Sequence, residues 1–252
     1  MKKLTGALAL AAALTLASAV SCTATAGIPI ELRLALEPLS DGAATTPTGW
    51  SVELTEATLL VGPIYAYAPL EEPMALRPPF GPALALAHGG FDPLDGRLVR
   101  GEYLDQLAFD ALGGRVDLGA IDGLLGEVDE LSVVLDEPRG ANTSPDGPTH
   151  GHHAWVRGVA TREGETVTFE GGIDIEDEGL LRRVDGVPVE GGALADGVTL
   201  VVGVDPSRWL SEANFTDLTG GVEVLGEDTQ PHRAWRLGVR SAAAYSARTE
   251  GP

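Results

Sequence analysis

Apolar residues recur at every second position in several short stretches of this chain, the pattern of strands with one buried face. Ile28, Ile30, Leu32, Leu34 and Leu36 share one parity and predict a strand over 28–36. Val52, Leu54, Leu59, Val61, Ile64 and Tyr65 predict β structure over 50–68, with a bend or bulge at Gly62-Pro63. Further strands are expected at 83–87, 101–104, 126–135, 184–189 (crossing a turn at Gly186) and 197–204. Residues 152–160 and 165–175 read as a hairpin around Arg162-Glu163-Gly164. Helical signals are fewer. A short turn is predicted over 107–112, another at Asp205-Pro206-Ser207 with Asp205 as its cap, and one longer helix over 227–247. In that helix Trp235, Val239, Ala242 and Ala243 lie at helical spacing.

Many short strands separated by turn-rich loops predict a mainly β protein, a β-sandwich or jelly-roll-like domain with a short C-terminal helix. The loops at 38–49 and 138–151 are rich in Gly, Pro, Thr and Asp. Pro69, Pro73, Pro78, Pro79 and Pro82 make 69–82 an irregular excursion, since each proline removes a ladder donor.

The N-terminus follows a different rule. Met1, Lys2 and Lys3 precede an apolar stretch from Leu4 to Val20, the plan of a secretory signal peptide. That stretch is short and small-residued for a membrane span, and no later stretch reaches the length one needs. Ala19-Val20-Ser21-Cys22 resembles a bacterial lipobox, with Ala19 where leucine is usual. The resemblance implies cleavage before Cys22 and lipid attachment to its thiol. The alternative is ordinary cleavage after Ala24-Thr25-Ala26. Cys22 is the single cysteine of the chain, and its position at the cut favours the lipid anchor. Residues 1–21 are thus expected to be a lipoprotein-type signal peptide, 22–27 a lipidated tether, and 28–252 a single β-rich domain in the cell envelope, on the periplasmic or outer-membrane side.

Charge narrows the partners. The formal charge is −20, and it falls to −22 once Lys2 and Lys3, the sole lysines, are removed. Such a surface repels nucleic acid and anionic headgroups and attracts cations. The lack of lysine excludes Schiff-base chemistry in the mature chain. With its one cysteine at the cleavage site, the domain has no disulfide and no CxxC metal site.

Three of the five histidines stand together in Thr149-His150-Gly151-His152-His153. On an extended chain His150 and His152 point to one side, roughly 7 Å apart at Cβ. Bending at Gly151 would let both imidazoles chelate one ion. His153 points the other way. His88, which precedes Gly89-Gly90, and His232, at the start of the C-terminal helix, are the other candidate ligands together with His153. Imidazole suits Zn²⁺ or Cu²⁺, with a carboxylate to complete the shell. The alternative is a solvated loop without a cofactor, because the tract lacks a fixed motif such as H-E-x-x-H.

The run from His152 to Ala160, followed by Val167-Thr168-Phe169, resembles a pattern in uncharacterised secreted lipoproteins of high-GC bacteria, as does Val201 to Leu210. In such sequences an H-P-G-H motif falls where this chain has His88-Gly89-Gly90-Phe91, so the second histidine is replaced here by Phe91. The resemblance implies an exported lipoprotein and implies no particular chemistry.

Other motifs are weaker. Asp92, Asp95, Gly96 and Glu102 fit the tail of an EF-hand loop, but Phe91 and Pro93 occupy its first ligand positions. Asp174, Glu176, Asp177 and Glu178 form an acidic turn with at most weak calcium affinity. There is no G-x-S-x-G elbow or phosphate-binding glycine loop. Of the tryptophans, Trp155 and Trp209 are expected in the core and Trp50 and Trp235 to be freer. Three functions follow in order: a metal-binding envelope lipoprotein, a structural or interaction lipoprotein with no cofactor, and an envelope hydrolase using paired carboxylates.

Overall fold

The computed structural model describes residues 27–70, 92, 96–175, 182–218 and 221–252. The expected signal peptide, Cys22, the strand at 83–87 and His88 lie outside them, as does most of the proline-rich stretch.

Among the described residues the chain is mainly β with one short α-helix near its C-terminus, as its pattern predicts. In order it forms β1 (Pro29–Pro38), β2 (Ala43–Thr45), β3 (Ser51–Val61), β4 (Ile64–Tyr67), β5 (Val99–Tyr103), β6 (Leu107–Asp110), β7 (Val116–Leu124) and β8 (Gly126–Glu127). There follow β9 (Glu130–Val134), β10 (Ala154–Arg162), β11 (Glu165–Ile173), β12 (Arg183–Glu190), β13 (Ala193–Leu194), β14 (Thr199–Val204), β15 (Val222–Val224), helix α1 (Gln230–Val239) and β16 (Tyr245–Glu250).

Eight strands close into a barrel in the order β1-β14-β16-β12-β9-β4-β5-β7. A second sheet runs β15-β11-β10-β3-β2, with β6 also paired to β3, and β8 and β13 form a small ribbon. The chain passes from the second sheet to the barrel through the cis Gly62-Pro63 peptide between β3 and β4, at the bend expected there. Both layers feed one core that joins Leu32, Leu34 and Leu36 of β1 to Leu59, Phe169, Trp209 and Trp235. β14 is buried from Leu200 to Val204. It lies parallel to β1 and antiparallel to β16. A continuous apolar run without alternation suits such a strand, covered on both faces.

Three local expectations are corrected. Residues 107–112 are not a helical turn: Leu107–Asp110 is strand β6, paired to Val61–Thr58. The helix does not span 227–247. Thr229 caps it by accepting from the His232 amide, and α1 stops at Val239. Residues 245–250 instead close the barrel as β16 beside β14. Strand β7 was not foreseen, because its apolar parity switches between Leu118 and Ile121. A bulge in the β1 register, where Leu34 faces Gly119 and Ala35 faces Asp117, causes the switch.

Candidate functional site

The 152–175 hairpin forms as expected, turning on Glu163 and Gly164, both at positive φ. Along β10 Ala154, Val156 and Ala160 face the core, while Trp155 and Arg157 face outward. Trp155 stands between Thr58 of β3 and Gly172 of β11, and Arg157 between Glu56 and Glu170. Arg157 bonds both carboxylates, at 3.3 Å to Glu56 and 3.0 Å to Glu170.

The histidine loop folds back over this outer face. Its start is pinned by Gln106, whose amide nitrogen donates to the Asp136 and Glu137 carbonyls. The Gln106 side-chain oxygen accepts from Arg139 N–H and the Asn142 amide. A 3-10 turn at Gly140–Thr143 and successive tight turns carry the chain to His150, which sits at φ +53°. The His153 backbone then enters the ladder between Ile173 and Leu60.

His150 and His152 converge on Trp155. Their ring centroids lie 4.2 Å and 5.9 Å from the indole, and the His152 ring is stacked within 17° of it. The His152 ring covers Gly172, where a Cβ would stand 2.6 Å from its Nε2. His150 Nδ1 is 3.0 Å from the Pro145 carbonyl oxygen, and His152 Nδ1 is 2.9 Å from Asp174 Oδ2. Neither oxygen can donate, so each ring donates from Nδ1, and the neutral tautomer this selects has its lone pair on Nε2. His150 Nε2 lies 3.7 Å from Glu56 Oε1. Both histidines are about one-third exposed, at 37% and 33%.

The other candidates do not join them. His153 is buried, and its Nδ1 accepts from the Ile175 amide at 3.3 Å. Burial lowers its pKa, against the pull of Asp174. Its Nε2 and the Thr149 hydroxyl are buried without a hydrogen-bond partner among the described residues. His232 is buried at the start of α1, its ring edge-on to Trp235. Burial lowers its pKa too, while a hydrogen bond to the Gly172 backbone acts the other way. His152 and His232 thus flank Gly172 from an exposed and a buried side. Among the described residues no three His, Asp or Glu side chains come together as a metal-binding set.

The tryptophan expectation holds for Trp209 and fails for the other three. Trp50, Trp209 and Trp235 are fully buried, while Trp155 is the half-exposed one. Glu56 and Trp155 were missed as site residues. The first is placed by pairing across β3 and β10, and the second stands outward because Ala154 and Val156 take the core side. Neither relation is encoded in local spacing. The Asp174 carboxylate, read as part of an acidic turn, is the partner of His152.

No protein family matches the chain, and no curated protein matches it. Among solved structures it is similar to MbnP from Methylosinus trichosporium, with 9% identity and a TM-score of 0.40 over 88% of this chain and 99% of that one.

Proposed function

We propose that this is an exported, lipid-anchored envelope protein whose acidic β domain captures a divalent transition metal, Cu²⁺ or Zn²⁺, on the outer face of its second sheet. His150 and His152 supply the nitrogen ligands through Nε2, and Glu56 is the adjacent carboxylate. The observation that supports this is the shared hydrogen-bond pattern of the two imidazoles. Each donates Nδ1–H to an oxygen, Pro145 O or Asp174 Oδ2, which leaves Nε2 as the nitrogen for a ligand. Protein oxygens acting on Nδ1 in this way fix the tautomer and ring direction of metal-binding histidines. The net charge of −20 draws cations toward the surface. Tethering through Cys22 would keep the captured ion at the membrane.

The test is calorimetric titration of the tag-free, metal-stripped protein with Zn²⁺ and Cu²⁺. The expected result is one site per chain, lost in His150→Ala/His152→Ala and weakened about 10–100-fold in Asp174→Asn. Weak binding that survives the double substitution would overturn the assignment and leave the two rings as a cover for Trp155.

A further inference from the structure

The barrel is closed least completely between β5 and β7. These strands pair only at Gly101 and Gly123, whereas β7 is paired along its other edge to β1 from Leu124 to Val116. The glycine pair can meet because Leu32 fills the space beneath it. A Cβ on Gly123 would stand 2.8 Å from Leu32 Cγ, and one on Gly101 3.3 Å from Leu32 Cδ1. Past this point a groove of about 620 Å³ opens between 102–105 on one side and 118–122 on the other, ending at 29–31 and Asp196. No described residue pairs with the groove-facing edge of Leu118–Ile121. An unpaired edge of this kind is a template for another strand.

The lining says which strand fits. Ile30, Leu118 and Ile121 are half-buried apolar positions, and Leu104 is 58% exposed. Around them stand the carboxylates of Glu31, Glu102 and Asp105, and none of the described residues lining the groove is arginine, lysine or histidine. Elsewhere on this molecule many surface carboxylates are paired: Glu37 and Glu250 with Arg248, Glu56 and Glu170 with Arg157. Those of Glu31, Glu102 and Asp105 meet no cationic side chain among the described residues. A recessed strand edge, an apolar floor and uncompensated negative charge have one complement in common.

We propose that the opening between β5 and β7 docks an extended basic segment of a partner protein. The segment adds a strand along 118–121, sets alternate apolar side chains on Ile30, Leu118 and Ile121, and places arginine or lysine against Glu31, Glu102 and Asp105. Main-chain hydrogen bonds supply affinity in this mode, and the alternate side chains supply selectivity. The opposite charges raise the association rate and make it salt-dependent. The site is on the barrel, apart from the histidine face, and does not depend on metal.

The probe is a fluorescein-labelled nonapeptide of alternating arginine and valine, followed by fluorescence anisotropy on the metal-stripped protein. Saturable binding is expected, weakened at least tenfold by Glu31→Gln/Glu102→Gln/Asp105→Asn. A remote triple with the same change in charge, Glu163→Gln/Glu212→Gln/Asp217→Asn, should stay within twofold. The same peptide N-methylated at alternate backbone nitrogens keeps its charges but loses its strand donors, and should bind at least tenfold more weakly. Equal losses in the two triples would mean general attraction to an acidic surface and overturn the proposal. Undiminished binding of the N-methylated peptide would exclude strand addition and overturn it as well.

Discussion

Gly172→Ala tests the histidine face without touching a proposed ligand. Gly172 pairs with Trp155 next to the open end of the β10–β11 ladder, and the His152 ring lies across it. An added Cβ would stand 2.6 Å from His152 Nε2 and closer still to two ring carbons, well inside ordinary contact. The ring must leave. Its own side chain is one-third exposed, so it can swing into solvent. The cost to folding is then mainly the exposed His152–Asp174 pair, about 0.2–1 kcal/mol. Alanine offsets this by the roughly 0.5–1 kcal/mol that glycine loses within a strand or helix. Stability should therefore change by about 1 kcal/mol or less. Affinity should behave differently. Moving the ring off Trp155 breaks the Asp174 bond that orients it. At least a tenfold loss in Zn²⁺ or Cu²⁺ affinity is expected, equivalent to about 1.4 kcal/mol. Urea denaturation measures the first quantity and calorimetry the second. Metal affinity unchanged within twofold would refute the role of His152. A stability loss above about 3 kcal/mol would refute the argument that the ring is free to yield.

Two further substitutions and a pH series probe the remaining structure. His153 and His232 are held neutral by burial, so their folded pKa values lie below the ordinary 6.5. The stability they contribute is complete above that value and is lost as pH falls through it toward the folded values. The urea midpoint of the metal-stripped protein should thus drop between pH 7 and pH 5, and His153→Gln/His232→Gln should flatten the slope. A midpoint that rises toward pH 5 would contradict this. The arginine-paired carboxylates Glu37, Glu137 and Glu250 have pKa values below 4.5 and lose their contribution only in more acid solution, outside this window. Tyr245 is buried, its hydroxyl donates to the Val239 carbonyl at 2.7 Å, and burial raises its pKa. Tyr245→Phe leaves the last carbonyl of α1 unpaired and should cost about 1–3 kcal/mol in urea denaturation. No change in midpoint would show that the carbonyl finds another partner.

What could be read from the sequence divides along a physical line. Strict alternation at Ile28 to Leu36, the uninterrupted apolar run before Asp205, the Glu163-Gly164 turn and the Asp205 cap are local, and each appears where expected. β7 escaped because a bulge at Leu118 breaks its parity. The C-terminal strand was absorbed into a helix because Ala242 and Ala243 continue helical spacing past the true end at Val239. The barrel itself was not legible. Its closure needs β1 beside β14 and β16 beside β12 in parallel, pairings between segments far apart in the chain that no local pattern encodes. The site divides in the same way. Spacing put His150 and His152 on one side, but the reason they meet is Trp155, which pairing between β3, β10 and β11 presents to the outside.

The form of the histidine face also bears on which metal role fits it. Structural zinc sites are closed, with four protein ligands arranged tetrahedrally, and the free energy of binding their ion is part of the free energy of folding. Here two imidazoles, each about one-third exposed, stand in a loop folded over the second sheet beside one carboxylate that is shared with Arg157. The loop is fixed by Gln106 and by the His153 backbone rather than by any ion. A site so organised should fold without metal and leave coordination positions open to solvent or to a second protein. Under the proposed function, those properties would suit a carrier that takes up and hands over an ion. The discriminating result is the melting temperature of the stripped protein. A shift of only a few degrees on saturation with Zn²⁺ agrees with capture and transfer. Failure to fold without metal would instead make the ion a structural element and exclude a carrier role.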